Sequence, residues 1–137
     1  MSTKEIGWAP ANPWFKEGFK HLETISLDEN ISIQILPLAY FLASKFDAYH
    51  SRGTDPRTSH DLEDIIFVLD NRINLVEDIL SSPGTVVTNL QSEFTDLLNP
   101  EIEEAVLGHL NPFSRKDRFP LLIKKLKAII NPNYEPF

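Results

Sequence analysis

Six ionisable side chains between positions 45 and 64 have types and spacing that could do chemistry together. Lys45, His50 and Arg52 precede the polar loop GTDPRTS, and His60, Asp61 and Asp64 follow it or close it. Lys45 and Arg52 are two helical turns apart, so one helix would hold both cations on nearly the same side, about 10 Å from each other. Asp61 and Asp64 share a helix face. Two cations along a groove with two carboxylates opposite could take a nucleotide's phosphates while the carboxylates position a metal ion or a base. The same charges could instead tie two helices together as an ordinary salt-bridge network, worth about 0–1 kcal/mol per exposed pair, and spacing alone favours that plainer use. His50 and His60, on opposite sides of the loop, suit loop-capping polar groups better than metal ligands. His21 and His109 stand alone and need no function.

The elements that position this cluster follow from breakers and periodicity. Pro37 suits the first turn of a helix and no breaker follows until Gly53, which predicts a helix over 37–52 with Leu38, Leu42, Phe46 and Tyr49 as its core stripe. Ser59 is a good N-cap for a second helix running to about Leu69, and the acids at 61, 63 and 64 fall in its first turns, where the helix dipole favours them. Upstream, the prolines and glycines of residues 1–20 predict an irregular arm, and its aromatics Trp8, Trp14, Phe15 and Phe19 suit core or a docking contact better than a base-stacking platform. Alternation on either side of Asp28-Glu29-Asn30, over 22–27 and 31–35, predicts a short β-hairpin.

Downstream, the spacing predicts helices over Leu75 to Leu80, Thr85 to Leu98, and from Asn99-Pro100 to about Gly108. The stretch NPFSRKDRF reads as a polar break with Arg115, Lys116 and Asp117 solvated in it. Pro120 then opens a last helix with Leu121, Leu122, Ile123, Leu126, Ile129 and Ile130 as its buried side. The expected architecture is α+β and mostly helical. One domain covers 1–137: an aromatic arm and hairpin in 1–36, a bundle of five or six helices in 37–130, and a loose tail in 131–137.

Composition narrows the chemistry. A chain of 137 residues with 42% hydrophobic and 24% charged content is large enough to bury a core without cross-links. The absence of cysteine excludes disulfides, thiolate nucleophiles and Cys-ligated metal centres, so any metal would need oxygen or imidazole ligands. A net charge of −7 argues against an extended nucleic-acid surface while leaving room for a local basic pocket. The start MSTKEIGWAPANPW has no leader pattern, and no apolar run is long enough for a membrane span, so a cytoplasmic protein without membrane contact is expected. There is no G-x-S-x-G elbow, P-loop or H-E-x-x-H motif.

The segments NPWFKEGF, LPLAYFLASKFDAYHSRG and SHDLEDIIFVLDNR resemble the C-terminal half of bacterial nucleotidyltransferase-like proteins of the abortive-infection AbiEii type. The resemblance runs from about Trp8 to Arg72. It implies a polymerase-β-like scheme in which two Mg²⁺ ions held by carboxylates drive attack on a nucleotide's α-phosphate. Lys45 would then contact nucleotide phosphates and Arg52 would support them, with His60 beside the same pocket. Asp61 and Asp64 would order the helix junction or assist the site. The family's metal-binding strand, a Gly-Ser or Gly-Gly turn followed by Asp-x-Asp, has no counterpart, because this sequence contains no Asp-x-Asp anywhere.

The resemblance therefore implies a truncated nucleotidyltransferase-like domain, catalytically incomplete alone, that retains a nucleotide or phosphate wall at Lys45, Arg52, His60, Asp61 and Asp64. No catalytic or metal residue is assigned, and Mg²⁺ and NTP enter only if a separate catalytic polypeptide supplies the missing half. A different class of function is an interaction module, possible in toxin–antitoxin or phage-defence systems, whose N-terminal arm and hairpin edge dock a partner or a second copy. A third is an active nucleotidyltransferase acting on RNA, which would require a metal site that the sequence does not display.

Overall fold

The protein is described by a computed structural model covering residues 13–133. Trp8 and the rest of 1–12, like 134–137, lie outside the described residues. Pro13 takes the first position of a short helix, α1 (Pro13–Phe19), so the second half of the expected irregular arm is helical. Seven residues are too few for a helix to stand alone in water. Packing holds it instead: Gly18 approaches Leu36 and Tyr40 so closely that a Cβ there would lie 2.9 Å from Tyr40 Cβ and collide with Leu36 Cδ1.

The hairpin forms as its alternation predicts. Strands β1 (Glu23–Ser26) and β2 (Ser32–Ile35) pair antiparallel with Ile25 opposite Ile33 and Glu23 opposite Ile35. The Asp28 carboxylate shapes the turn by accepting from the N–H groups of Asn30 and Ile31 at 2.7 and 2.9 Å. Every strand residue is exposed. Period-two geometry gathers Ile25, Ile33 and Ile35 on one face, with Glu23 at one end and Leu27 and Ile31 extending the other, and puts Thr24, Ser26, Ser32 and Gln34 on the opposite face.

Six α-helices follow the hairpin: α2 (Leu38–Arg52), α3 (His60–Asn71), α4 (Leu75–Leu80), α5 (Gly84–Leu97), α6 (Pro100–His109) and α7 (Arg115–Ile130). The fold is α+β and mostly helical. Helix α2 is the hub, packing on α1, α3, α4 and α5, while α7 closes the far side against α3, α4 and α5. Within the core, Leu42 and Phe46 of α2 meet Leu62, Ile65 and Ile66 of α3 and Leu90 and Phe94 of α5, with the Phe46 and Phe94 ring centroids 5.8 Å apart. Of the expected α2 stripe, Leu42 and Phe46 are fully buried, and Leu38 and Tyr49 line its edge.

The last helix departs from expectation. It begins at Arg115, so Arg115, Lys116 and Asp117 form a first helical turn rather than a loop, and Pro120 sits inside the helix. The Ser114 carbonyl starts it by accepting from the N–H groups of Asp117 and Arg118 at 3.0 and 2.9 Å. Proline at 120 removes one bond, the one that would have gone to the Lys116 carbonyl in an exposed turn, where water can serve the freed acceptor. Leu121, read as buried, is 59% exposed; Leu122, Leu126 and Ile129 make the buried seam.

Truncating Phe94 to alanine removes a fully buried ring from the α2–α5 contact, and is expected to cost about 3–5 kcal/mol. Phe113→Ala, at a residue 98% exposed, should change stability by less than about 0.5 kcal/mol. Urea unfolding followed by circular dichroism measures both.

Candidate functional site

The chain between α2 and α3 turns back on itself through three local devices. Gly53 ends α2 in the left-handed region at φ 61°, a conformation glycine takes without a side-chain penalty, and this places Arg52 as the last helical residue. A 3-10 turn follows over Pro56–Thr58, capped by the Asp55 carboxylate, which accepts from the Arg57 N–H at 2.9 Å. Ser59 then caps α3, its Oγ accepting from the Leu62 N–H at 3.1 Å. Arg57 also reaches back to Asp55 through its guanidinium, and that hydrogen bond holds the Asp55 carboxyl below its ordinary value. Because the value is lowered on folding, this contact contributes fully above the ordinary aspartate range and is lost as the pH falls through the lowered value.

This return brings four of the charged residues into one network. Arg52 Nη1 donates to both oxygens of Asp61 at 2.9 and 2.8 Å, and Lys45 Nζ donates to Asp64 Oδ2 at 2.8 Å while lying 3.7 Å from Asp61 Oδ1. Asp61 is the buried member, only 4% exposed, and it sits in the first turn of α3, where the helix dipole also favours its charge. The other three open outward: the side chains of Arg52 and Asp64 are about half exposed and that of Lys45 a quarter. Arg52 uses only Nη1, and its Nε and Nη2 have no partner among the described residues. The rim of the network thus carries unspent guanidinium donors, the geometry a phosphate oxygen takes.

The histidines fall elsewhere. His60, next to Asp61 in sequence but about 100° around the helix, is exposed, with no polar partner among the described residues. His50 faces α5, its Nε2 2.8 and 3.1 Å from the two Glu93 oxygens. His109 Nε2 meets the Pro56 carbonyl at 2.8 Å and ties the end of α6 to the 3-10 turn, and His21 stacks on Tyr40 with ring centroids 5.5 Å apart. Burial, and secondarily Glu17, raises the Tyr40 hydroxyl above its ordinary value. Burial does the same for Tyr49, with Asp55 and Glu93 adding to it.

Two structural ions escape a reading by spacing. Arg118 Nη1 donates to Asp70 Oδ2 at 2.8 Å, and Lys125 Nζ donates to the carbonyls of Leu69 and Asp70 at 3.1 Å, capping the C-terminal end of α3. These partners are separated by about fifty residues in sequence, so no local pattern announces them.

The carboxylates do not fit a magnesium site. Both Asp61 oxygens accept from Arg52, Asp64 is drawn to Lys45, and no group of three or more acidic or histidine side chains able to hold a metal occurs among the described residues. No helix among the described residues is long and apolar enough to cross a membrane. Compared with protein-family models, curated proteins and solved structures, the chain matches none.

Asp61→Ala leaves Arg52 and Lys45 facing an empty, partly buried position and is expected to cost about 2–3 kcal/mol, below the value for a fully buried pair because Arg52 keeps much of its water. Asp64→Ala should cost no more than about 1 kcal/mol. Denaturant midpoints of the two variants, compared with Arg52→Ala and the Arg52/Asp61 double variant, measure the ranking and the coupling.

Proposed function

We propose that the chain is the helical part of a nucleotidyltransferase-like protein, acting in the cytoplasm, which holds nucleotide phosphates at Lys45 and Arg52 and does not transfer nucleotides by itself. The observation that supports this is the half-exposed guanidinium of Arg52, anchored through one nitrogen on a buried carboxylate and with its remaining donors bonded to no other group among the described residues. An anchored arginine is already positioned before a ligand arrives, so binding loses less side-chain freedom. Asp61 is then the positioning group and Arg52 the binding one. Asp64 competes with phosphate for Lys45 and must release it, and His60 stands beside the site only if a ligand extends over the start of α3. A nucleotide bound here would meet its Mg²⁺ and its acceptor only through carboxylates supplied by another polypeptide.

Calorimetry with ATP, CTP, GTP and UTP in the presence of Mg²⁺ tests the reading. Millimolar or tighter binding is expected, weakened about tenfold in Arg52→Ala and strengthened in Asp64→Asn, which removes the competitor. No heat at millimolar nucleotide overturns it.

A second reading, of the interaction class, is favoured by the hairpin. Ile25, Leu27, Ile31, Ile33 and Ile35 form an exposed aliphatic face, 36–60% exposed residue by residue, with no helix among the described residues laid over it. The occupant that suits it is a second copy of this chain. Two such faces are identical, and about a two-fold axis their aliphatic residues stack while Glu23, opposite Ile35, marks one end of each. Light scattering of the eluting protein should give a dimer at tens of micromolar concentration that Ile33→Glu converts to monomer while the helical dichroism is kept. A monomer at every concentration, or a complex only with a separate catalytic polypeptide, overturns self-docking.

A further inference from the structure

Helix α7 carries six of the thirteen lysines and arginines against a single acid, Asp117, in a chain whose total charge is −7. Arg118 and Lys125 are engaged with the end of α3, and Arg115 donates to the Leu110 carbonyl. Lys124 and Lys127 are not: both are exposed, and neither has a carboxylate partner among the described residues. They are three residues apart on one face of the helix, and between α7 and the last turn of α5 that face borders a groove of about 800 Å³. Its floor is apolar, made by Leu98, Pro120, Ile123 and Ile130.

We propose that this α5–α7 groove docks an acidic amphipathic helix of a partner protein. Three features specify that occupant. First, the apolar side chains Leu98, Ile123 and Ile130 are only partly exposed, sunk between two helices, so they receive inserted side chains and would not reach into a flat bilayer surface. Second, the stretch of α7 from Pro120 to Ile130 is about 15 Å long, three turns, the length over which a helix presents anchors at i, i+3 or i+4, and i+7. Third, Lys124 and Lys127 stand at the rim as cations with no carboxylate partner among the described residues, so carboxylates flanking the incoming apolar stripe would neutralise them, and like-charged helices would be rejected. The groove shares no lining residue with the Lys45 to Asp64 network and does not depend on the nucleotide reading.

Fluorescence anisotropy of the full chain with a labelled 15-residue amphipathic helix, leucine at every third or fourth position and glutamate on both flanks, tests the proposal. Binding is expected in the range of roughly tens of micromolar, weakened several-fold between 50 and 500 mM salt. The surface double variant Lys124→Glu/Lys127→Glu should lose at least about tenfold in affinity with an unchanged dichroism spectrum. Lys116→Glu, at the other end of α7, should change binding little. A peptide with lysine in place of every glutamate should not bind. Absence of binding at millimolar protein, equal binding of both peptides, or binding to phosphatidylserine vesicles in preference to the acidic peptide overturns it.

Discussion

Burying the Asp61 carboxylate at the junction of α2 and α3 is the constraint around which the N-terminal side of the bundle is organised. A carboxylate taken out of water costs several kcal/mol unless charge and hydrogen bonds replace its solvent. Each local device between the helices meets part of that demand. Gly53 stops α2 so that Arg52 is its last residue, the capped 3-10 turn returns the chain within a few residues, and Ser59 sets the start of α3 so that its dipole and the Arg52 guanidinium converge on Asp61. His109 fastens that turn to α6 through the Pro56 carbonyl, which couples the junction to the other side of the molecule. The core beneath, Phe46 against Phe94 and Leu62 beside them, supplies the stability that lets the junction carry charge at all.

How much of this was legible follows from how far apart the partners are. Helix boundaries from α2 to α6 come from breakers and caps that act within a few residues, and they fall where Pro37, Gly53, Ser59 and Asn99 put them, whereas α1 forms where the prolines and glycines predict an irregular arm. The convergence of Lys45, Arg52, Asp61 and Asp64 was readable because two turns on one helix, one turn on the next and a short loop leave few alternatives. His60 lies outside that network because adjacency in sequence is not adjacency on a helix. Pro120 misled: proline is usually an opening residue, but an exposed first turn can lose one hydrogen bond at little cost, so the helix extends back to Arg115. Glu93 facing His50, and Lys125 on the carbonyls of α3, depend on tertiary packing alone, and nothing near them in the chain encodes it.

The hairpin and α7 show two ways in which the bundle leaves surface unspent. A two-stranded sheet is marginal by itself, and with all its strand residues exposed the hairpin contributes little to the core that the helices already close. Its aliphatic face is therefore not explained by stability. In α7 the buried seam of Leu122, Leu126 and Ile129 fixes the helix on the bundle, leaving Ile123 and Ile130 beside the seam and Lys124 and Lys127 outside it. Arg118 and Lys125 tie α7 to the end of α3, whereas Lys124 and Lys127 raise the local potential of an acidic chain without such a contact among the described residues.

The charged quartet raises the same question more sharply, since stability alone would not select it. Apolar residues of similar volume can hold two helices together as well as an ion pair or better, because they carry no desolvation penalty. What apolar residues cannot do is keep a guanidinium fixed at the surface with donors to spare. Asp61 is buried while Arg52 is half in water, so the anchor lies inside and the reactive edge outside. Leaving the guanidinium half in water lowers the desolvation cost of the pair, and the same asymmetry keeps its free donors at the surface, where a ligand can reach them. Within the proposed reading, that asymmetry is what lets Arg52 meet a phosphate oxygen without leaving Asp61 unpaired.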